Sequence, residues 1–225
     1  MKEFRKVLIY IDSILLPKGF KLFESQESGC IICDYRKSTN QSINSIAFLK
    51  REDKIKGFYY AVNFIEMELI IIPILTKNKL FGDVKPEKID ESFWVQKNTR
   101  YTLSDDGKDI SEYEEVVNIF NLFYKQDALP FFERWKDLNV LYEYIKDKTE
   151  REELSEILGQ FWQFKKAVIL RLCNDSSYED FMTKFVNRRE EILKMRPESI
   201  DVQRYYNASK ELKQVLDNTK PIYNV

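Results

Sequence analysis

Asp105-Asp106-Gly107-Lys108-Asp109-Ile110-Ser111-Glu112-Tyr113-Glu114-Glu115-Val116-Val117-Asn118-Ile119-Phe120-Asn121-Leu122-Phe123-Tyr124 is where this chain changes character. Asp105-Asp106-Gly107 reads as a turn. Ser111 followed by Glu114 has the spacing of a capping box, in which two side chains satisfy the orphan N–H groups of a helix start. Tyr113, Val116, Val117, Phe120, Phe123 and Tyr124 then recur at helical spacing and make one apolar stripe. Upstream lie mostly short β-like segments, and downstream the pattern stays helical.

Working back toward the N-terminus, Phe4, Val7, Leu8, Ile11 and Leu15 fit a helix over residues 2–16, stopped by Pro17 and Gly19. Strands are expected at 20–24, 30–36, 43–50 and 57–66. A fifth is expected at 67–76, apolar on both faces, where Pro73 marks an edge or a bulge. Residues 92–103 suggest one or two more. Forward of the quoted stretch, Pro130 suits a helix start and a break falls near Asp137. Thr149 with Glu152 opens a helix running to about Cys173, Ser176 with Glu179 opens another ended by Arg196-Pro197, and Ser199 opens the last, ended near Asn218. One helix, a run of strands and a run of helices predict an α+β fold: an N-terminal helix, a mostly antiparallel sheet, and an all-helical C-terminal half packed on it. The charged segment Lys146 to Arg151 sets the expected boundary, with an α+β domain over 1–147 and a helical extension over 148–225.

Composition limits the chemistry. None of the 225 residues is histidine. That removes Ser–His–Asp triads, Cys–His pairs and His-ligated zinc or iron. Six glycines include no phosphate-cradling G-x-G-x-x-G or P-loop. Lys plus Arg is 36 against 37 for Asp plus Glu, so no bulk attraction draws the chain to nucleic acid or to an anionic membrane. The apolar run Leu69–Leu75 is far short of a membrane span. Lys2, Arg5 and Lys6 ahead of an apolar stretch resemble the start of a secretion signal, but Asp12 interrupts the stretch and no small-residue cleavage site follows. Three cysteines fit a reducing compartment, so the expected location is the cytoplasm.

Several constellations invite a chemical reading. Cys30-Ile31-Ile32-Cys33 is formally C-x-x-C, but in a strand positions i and i+3 face opposite ways, and buried structural thiols are expected. Asp105, Asp106, Asp109, Glu112, Glu114 and Glu115 do not match a calcium loop and read as a turn leading into an acidic first helical turn. Glu66 and Glu68 share a face if their segment is a strand, without a positioned partner for acid–base work. Arg188-Arg189-Glu190-Glu191 alternates in sign around a helix and reads as a solvated face.

Two stretches carry a family resemblance. Leu15-Leu16-Pro17-Lys18-Gly19-Phe20-Lys21 ends the first helix and opens a strand; Ala128-Leu129-Pro130-Phe131-Phe132-Glu133-Arg134-Trp135 opens a helix after the sheet. Over residues 1–147 the chain resembles the bacterial family called domain of unknown function 4304, which is similar in its leading helix, K-G-F strand opening, sheet and L-P-F helix start. The resemblance implies the fold. That family has no established activity, so it implies no functional residue.

The expected function is that of a non-catalytic binding module, without cofactor or metal, whose aromatic and acidic face meets another protein; an immunity- or regulator-like role fits such a face. Tyr59, Trp94, Tyr101, Asp105, Asp106 and Asp109 are the candidate surface, because exposed aromatics and a local acidic cluster favour partner contact. Nucleic acid and membrane are not expected partners, and oligomeric state is open. The alternative is an enzyme using carboxylates, lysine or tyrosine in a cleft between sheet and C-terminal helices.

Overall fold

The structure is a computed structural model and describes residues 2–27, 29–82, 95–96 and 107–225. The fold is α+β, as the element order predicts. Its contacts divide the chain into two units, each discontinuous in sequence: Met1–Asn63 with Val95–Lys136, and Phe64–Trp94 with Asp137–Val225. The boundary expected at 147/148 falls inside the second unit, between two of its helices.

The first unit opens with helix α1 (Lys2–Leu15), which buries Val7, Ile11 and Leu15 completely. A 3-10 turn at Leu16–Lys18 carries Pro17 and ends it. Strands β1 (Lys21–Glu27), β2 (Cys30–Ser38), β3 (Ser42–Arg51) and β4 (Lys54–Phe64) follow as neighbours in one sheet. Short turns join them, which only antiparallel pairing allows. Register sets Glu24 opposite Cys33 and Cys33 opposite Phe48. Two short strands, β5 (Val95–Gln96) and β6 (Lys108–Asp109), both pair with β4. Alternation puts Cys33, Tyr35, Ile46, Phe48, Phe58 and Tyr60 on the covered face. Cys30 and Cys33 do face opposite ways; Cys33 is fully buried and Cys30 only partly.

Helix α3 (Tyr113–Phe123), a π-helical turn (Tyr124–Ala128) and helix α4 (Leu129–Arg134) complete this unit. Aromatic rings tie these helices to the sheet: Phe58 lies 5.4 Å from Phe120 and 5.5 Å from Phe123, and Tyr60 lies 4.6 Å from Phe131. Each such pair adds about 0.5–1.5 kcal/mol beyond burial. The capping box expected at Ser111 does not form. Asp109 Oδ1 accepts both the Ser111 hydroxyl (2.6 Å) and its N–H (2.8 Å), so the serine closes a turn and Glu112 takes the cap position.

The second unit contains α2 (Ile65–Lys77), α5 (Leu138–Ile145), α6 (Arg151–Leu158), α7 (Trp162–Leu172), α8 (Tyr178–Met195) and α9 (Ile200–Asp217). Helix α7 is its axis, with Phe164 through Leu170 all buried, and the other five helices contact it. A helix buried all round needs apolar residues all round, as Ala167-Val168-Ile169-Leu170 supplies. Two lysines in the same run end on carbonyls: Lys165 Nζ donates to Leu158 O at 2.6 Å, and Lys166 Nζ donates to Lys148 O. The last residues strap onto the end of α7, where the Ile222 and Tyr223 N–H groups donate to Leu172 O at 2.9 and 3.0 Å.

Residues 67–76 form helix α2, not a strand. Met67, Ile71, Ile74 and Leu75 recur at helical spacing and are buried, whereas Leu69 is 71% exposed. Glu66 and Glu68 therefore point to different sides of a helix; Glu66 accepts the Tyr223 hydroxyl at 3.0 Å and Glu68 is buried. The helix expected from Thr149 to Cys173 is two helices, because Gly159 adopts φ 67, ψ −149, a conformation no helix contains. Thr149 and Ser176 do not cap, whereas Asp137 and Ser199 do, accepting the N–H groups of Val140 (3.0 Å) and Val202 (3.4 Å).

Candidate functional site

The break at Gly159 builds the most distinctive cleft among the described residues. Gly159, then Phe161 in a left-handed conformation (φ 59), turn the chain sharply between α6 and α7. Arg151 and Ser155 from α6, Gln160 to Phe164 from the turn and α7, Arg188, Arg189 and Ile192 from α8, and Tyr205 from α9 surround a cavity of about 640 Å³. A smaller apolar hollow of about 220 Å³ adjoins it, sharing Arg189, Ile192 and Tyr205 and adding Asp201 and Val202. Asp201 is paired with Arg204 at 3.3 Å.

Arg189 overturns the expectation of a wholly solvated Arg-Arg-Glu-Glu face. Arg188–Glu191 (2.9 Å) and Lys194–Glu190 (3.0 Å) are the exposed pairs such a face predicts. Arg189 instead occupies the inward stripe between Phe185 and Ile192, at spacings of four and three. Its guanidinium lies 5.4 Å from the Phe185 ring and 5.1 Å from the Tyr205 ring, and donates through Nη2 to Gln163. Its Nε is buried without a hydrogen-bond partner among the described residues. Burial lowers its proton affinity; Tyr205 opposes this, and the positive charges of Arg188 and Arg151 add to it. Arg188 and Arg151 are thus close enough for their charges to act on Arg189.

Every polar side chain lining the larger cleft can donate a hydrogen bond. Among its described lining residues there is no carboxylate, lysine or cysteine. Arg151 has no ion pair among the described residues. Tyr205 lends a phenol whose pKa burial raises, so it remains protonated and able to donate. Phe161, Phe164 and Tyr205 form a ring cluster, with centroids 5.9–6.1 Å apart. Trp162, half-buried, stands outside that cluster, and its indole N–H has no partner among the described residues.

The sequence-predicted surface lies elsewhere. Trp94, Tyr101, Asp105 and Asp106 are outside the described residues. Tyr59 is 37% exposed and faces away from Phe58 and Tyr60. Asp109 pairs in register with Lys54, five positions along β4 from Tyr59, or about 17 Å. The structure does not set those two side by side. Asp109's carboxyl is held low by the hydroxyl and N–H of Ser111. Lys108 bridges Glu112 (2.8 Å) and Glu115 (2.7 Å), so part of the acidic cluster is paired internally.

The two stretches behind the family resemblance do meet. Phe20 and Phe132 lie 6.3 Å apart. Lys18, Phe20, Leu129 and Phe132 help line a hollow of about 410 Å³ in the first unit. Among the described residues no group of three or more metal-binding side chains is gathered, and no helix is long and apolar enough to cross a membrane. Compared with known proteins, the chain matches no family model, no curated protein and no solved structure.

Proposed function

We propose that this protein is a non-catalytic binding protein whose ligand is an anion held in the α6–α7–α8–α9 cleft. The observation that carries the reading is the convergence of Arg151, Arg188 and Arg189 on a cavity lined by no carboxylate among the described residues. Arg188 pairs with Glu191, whereas Arg151 and Arg189 have no carboxylate partner among the described residues, and an oxyanion with several lone pairs can serve them through charge-assisted bonds. The cavity volume is in the range of small-molecule sites. Binding is favoured over catalysis because none of the lining side chains serves as a general base near neutral pH.

Thermal unfolding in phenyl phosphate, against phenol at matched ionic strength, tests this. Phenyl phosphate should raise the Tm and phenol should not, and the double variant Arg151→Gln/Arg188→Gln should abolish the rise; saturation at a hundred times Kd corresponds to about 2.7 kcal/mol. An unchanged Tm in every anion tried would leave the cleft as a solvated seam between helices.

A further inference from the structure

We infer that the anion is a nucleoside monophosphate, its phosphate on the three arginines and its base stacked on Trp162; this rests on the anion-binding reading above. Four aromatic rings line the cleft, and Phe161, Phe164 and Tyr205 are already engaged with one another. Trp162 packs against no other ring among the described residues, while being half-buried at the cavity wall. An indole that pairs with no other ring among the described residues, in the wall of a cavity that arginines also line, suits a ligand that is planar at one end and anionic at the other.

The donor set favours phosphate over carboxylate. A phosphate monoester presents three terminal oxygens and close to two negative charges, against two oxygens and one charge for a carboxylate. Arg151 and Arg189, with Arg188 shared by Glu191, match the larger count. A monophosphate is favoured over a triphosphate. Longer phosphate chains bring Mg²⁺, which carboxylates help to hold, and none lines the larger cleft among the described residues. The neighbouring Gln160 side chain is exposed and offers both a donor and an acceptor, which a base edge requires and the arginines cannot supply. Recognition through side chains also fits a sequence without a glycine-rich phosphate loop.

Fluorescence titration of the full chain tests this, with AMP, ribose 5-phosphate, adenosine, phenyl phosphate, inorganic phosphate and a phosphotyrosyl peptide as probes. AMP should quench tryptophan emission without Mg²⁺ and bind about ten-fold or more tighter than ribose 5-phosphate, the gain expected from one stacked base. Trp162→Leu should remove both the quench and AMP's advantage over ribose 5-phosphate; matched circular dichroism shows that the variant is folded. Arg151→Gln should weaken AMP and ribose 5-phosphate together. If ribose 5-phosphate binds as tightly as AMP, or the phosphotyrosyl peptide binds tighter than either, the nucleotide assignment fails and anion binding stands. If no phosphate compound binds, both readings fall.

Discussion

Gly159 decides the shape of the cleft. With φ 67 and ψ −149 it occupies a region that a Cβ makes strained, and its N–H still closes α6 on Ser155 O at 2.9 Å. Gly159→Ala should therefore lower stability by about 1–3 kcal/mol in urea unfolding and weaken anion binding, since this turn sets how α6, which carries Arg151, meets α7. A neutral result would mean that the turn relaxes freely. Arg189 is the residue most easily misjudged. Its charge places it with the exposed pairs, but its position places it on a stripe with Phe185 and Ile192, and position wins because aromatic rings solvate a guanidinium in part. The stripe was readable in the sequence; the neighbouring Glu190 and Glu191 obscured it.

At the scale of elements, the antiparallel strands were legible because alternation and short turns act locally. Helix α2 was not. A short run apolar on nearly every side fits a buried strand and a buried helix equally, and only its neighbours distinguish them. Pro73 pointed the wrong way: proline is unfavourable in both structures, and α2 carries it on an exposed side, inside the helix. Removing it should then be favourable. Pro73→Ala restores an N–H that can donate to the carbonyl of Leu69, and should stabilise the protein by about 1–3 kcal/mol in denaturant unfolding. A loss of stability would show that the ring packs against something worth more than that hydrogen bond. The Gly159 break was missed for a related reason: Leu158, Phe161 and Val168 continue an apolar pattern across it, and one glycine did not outweigh that.

For the molecule as a whole, the buried acids with weak affinity for hydroxide set its response to alkali. Burial, with nearby carboxylates, raises the Cys33 and Cys173 thiols from 9.0 to about 12. Burial and an accepting carboxylate raise Tyr35 (on Asp12), Tyr178 (on Asp217) and Tyr223 (on Glu66). All these groups hold their protons more tightly folded than unfolded. Their contribution is complete below pH 9 and drains away as pH rises toward 12. Unfolding free energy measured between pH 7 and 11 should fall progressively above pH 9, and a flat profile would contradict these environments. The general architecture was readable from the order of elements, but its division was not, because which helices share a core depends on contacts far apart in the chain. The helical unit takes α2 from the middle of the sequence and the rest from its end. During synthesis, α2 emerges roughly 85 residues before α7, the axis it packs on. At about 5–20 residues per second, that leaves its isoleucines and Met67 without a core for roughly 4–17 seconds. The nascent polypeptide thus offers chaperones an oily segment whose shelter has not yet been translated.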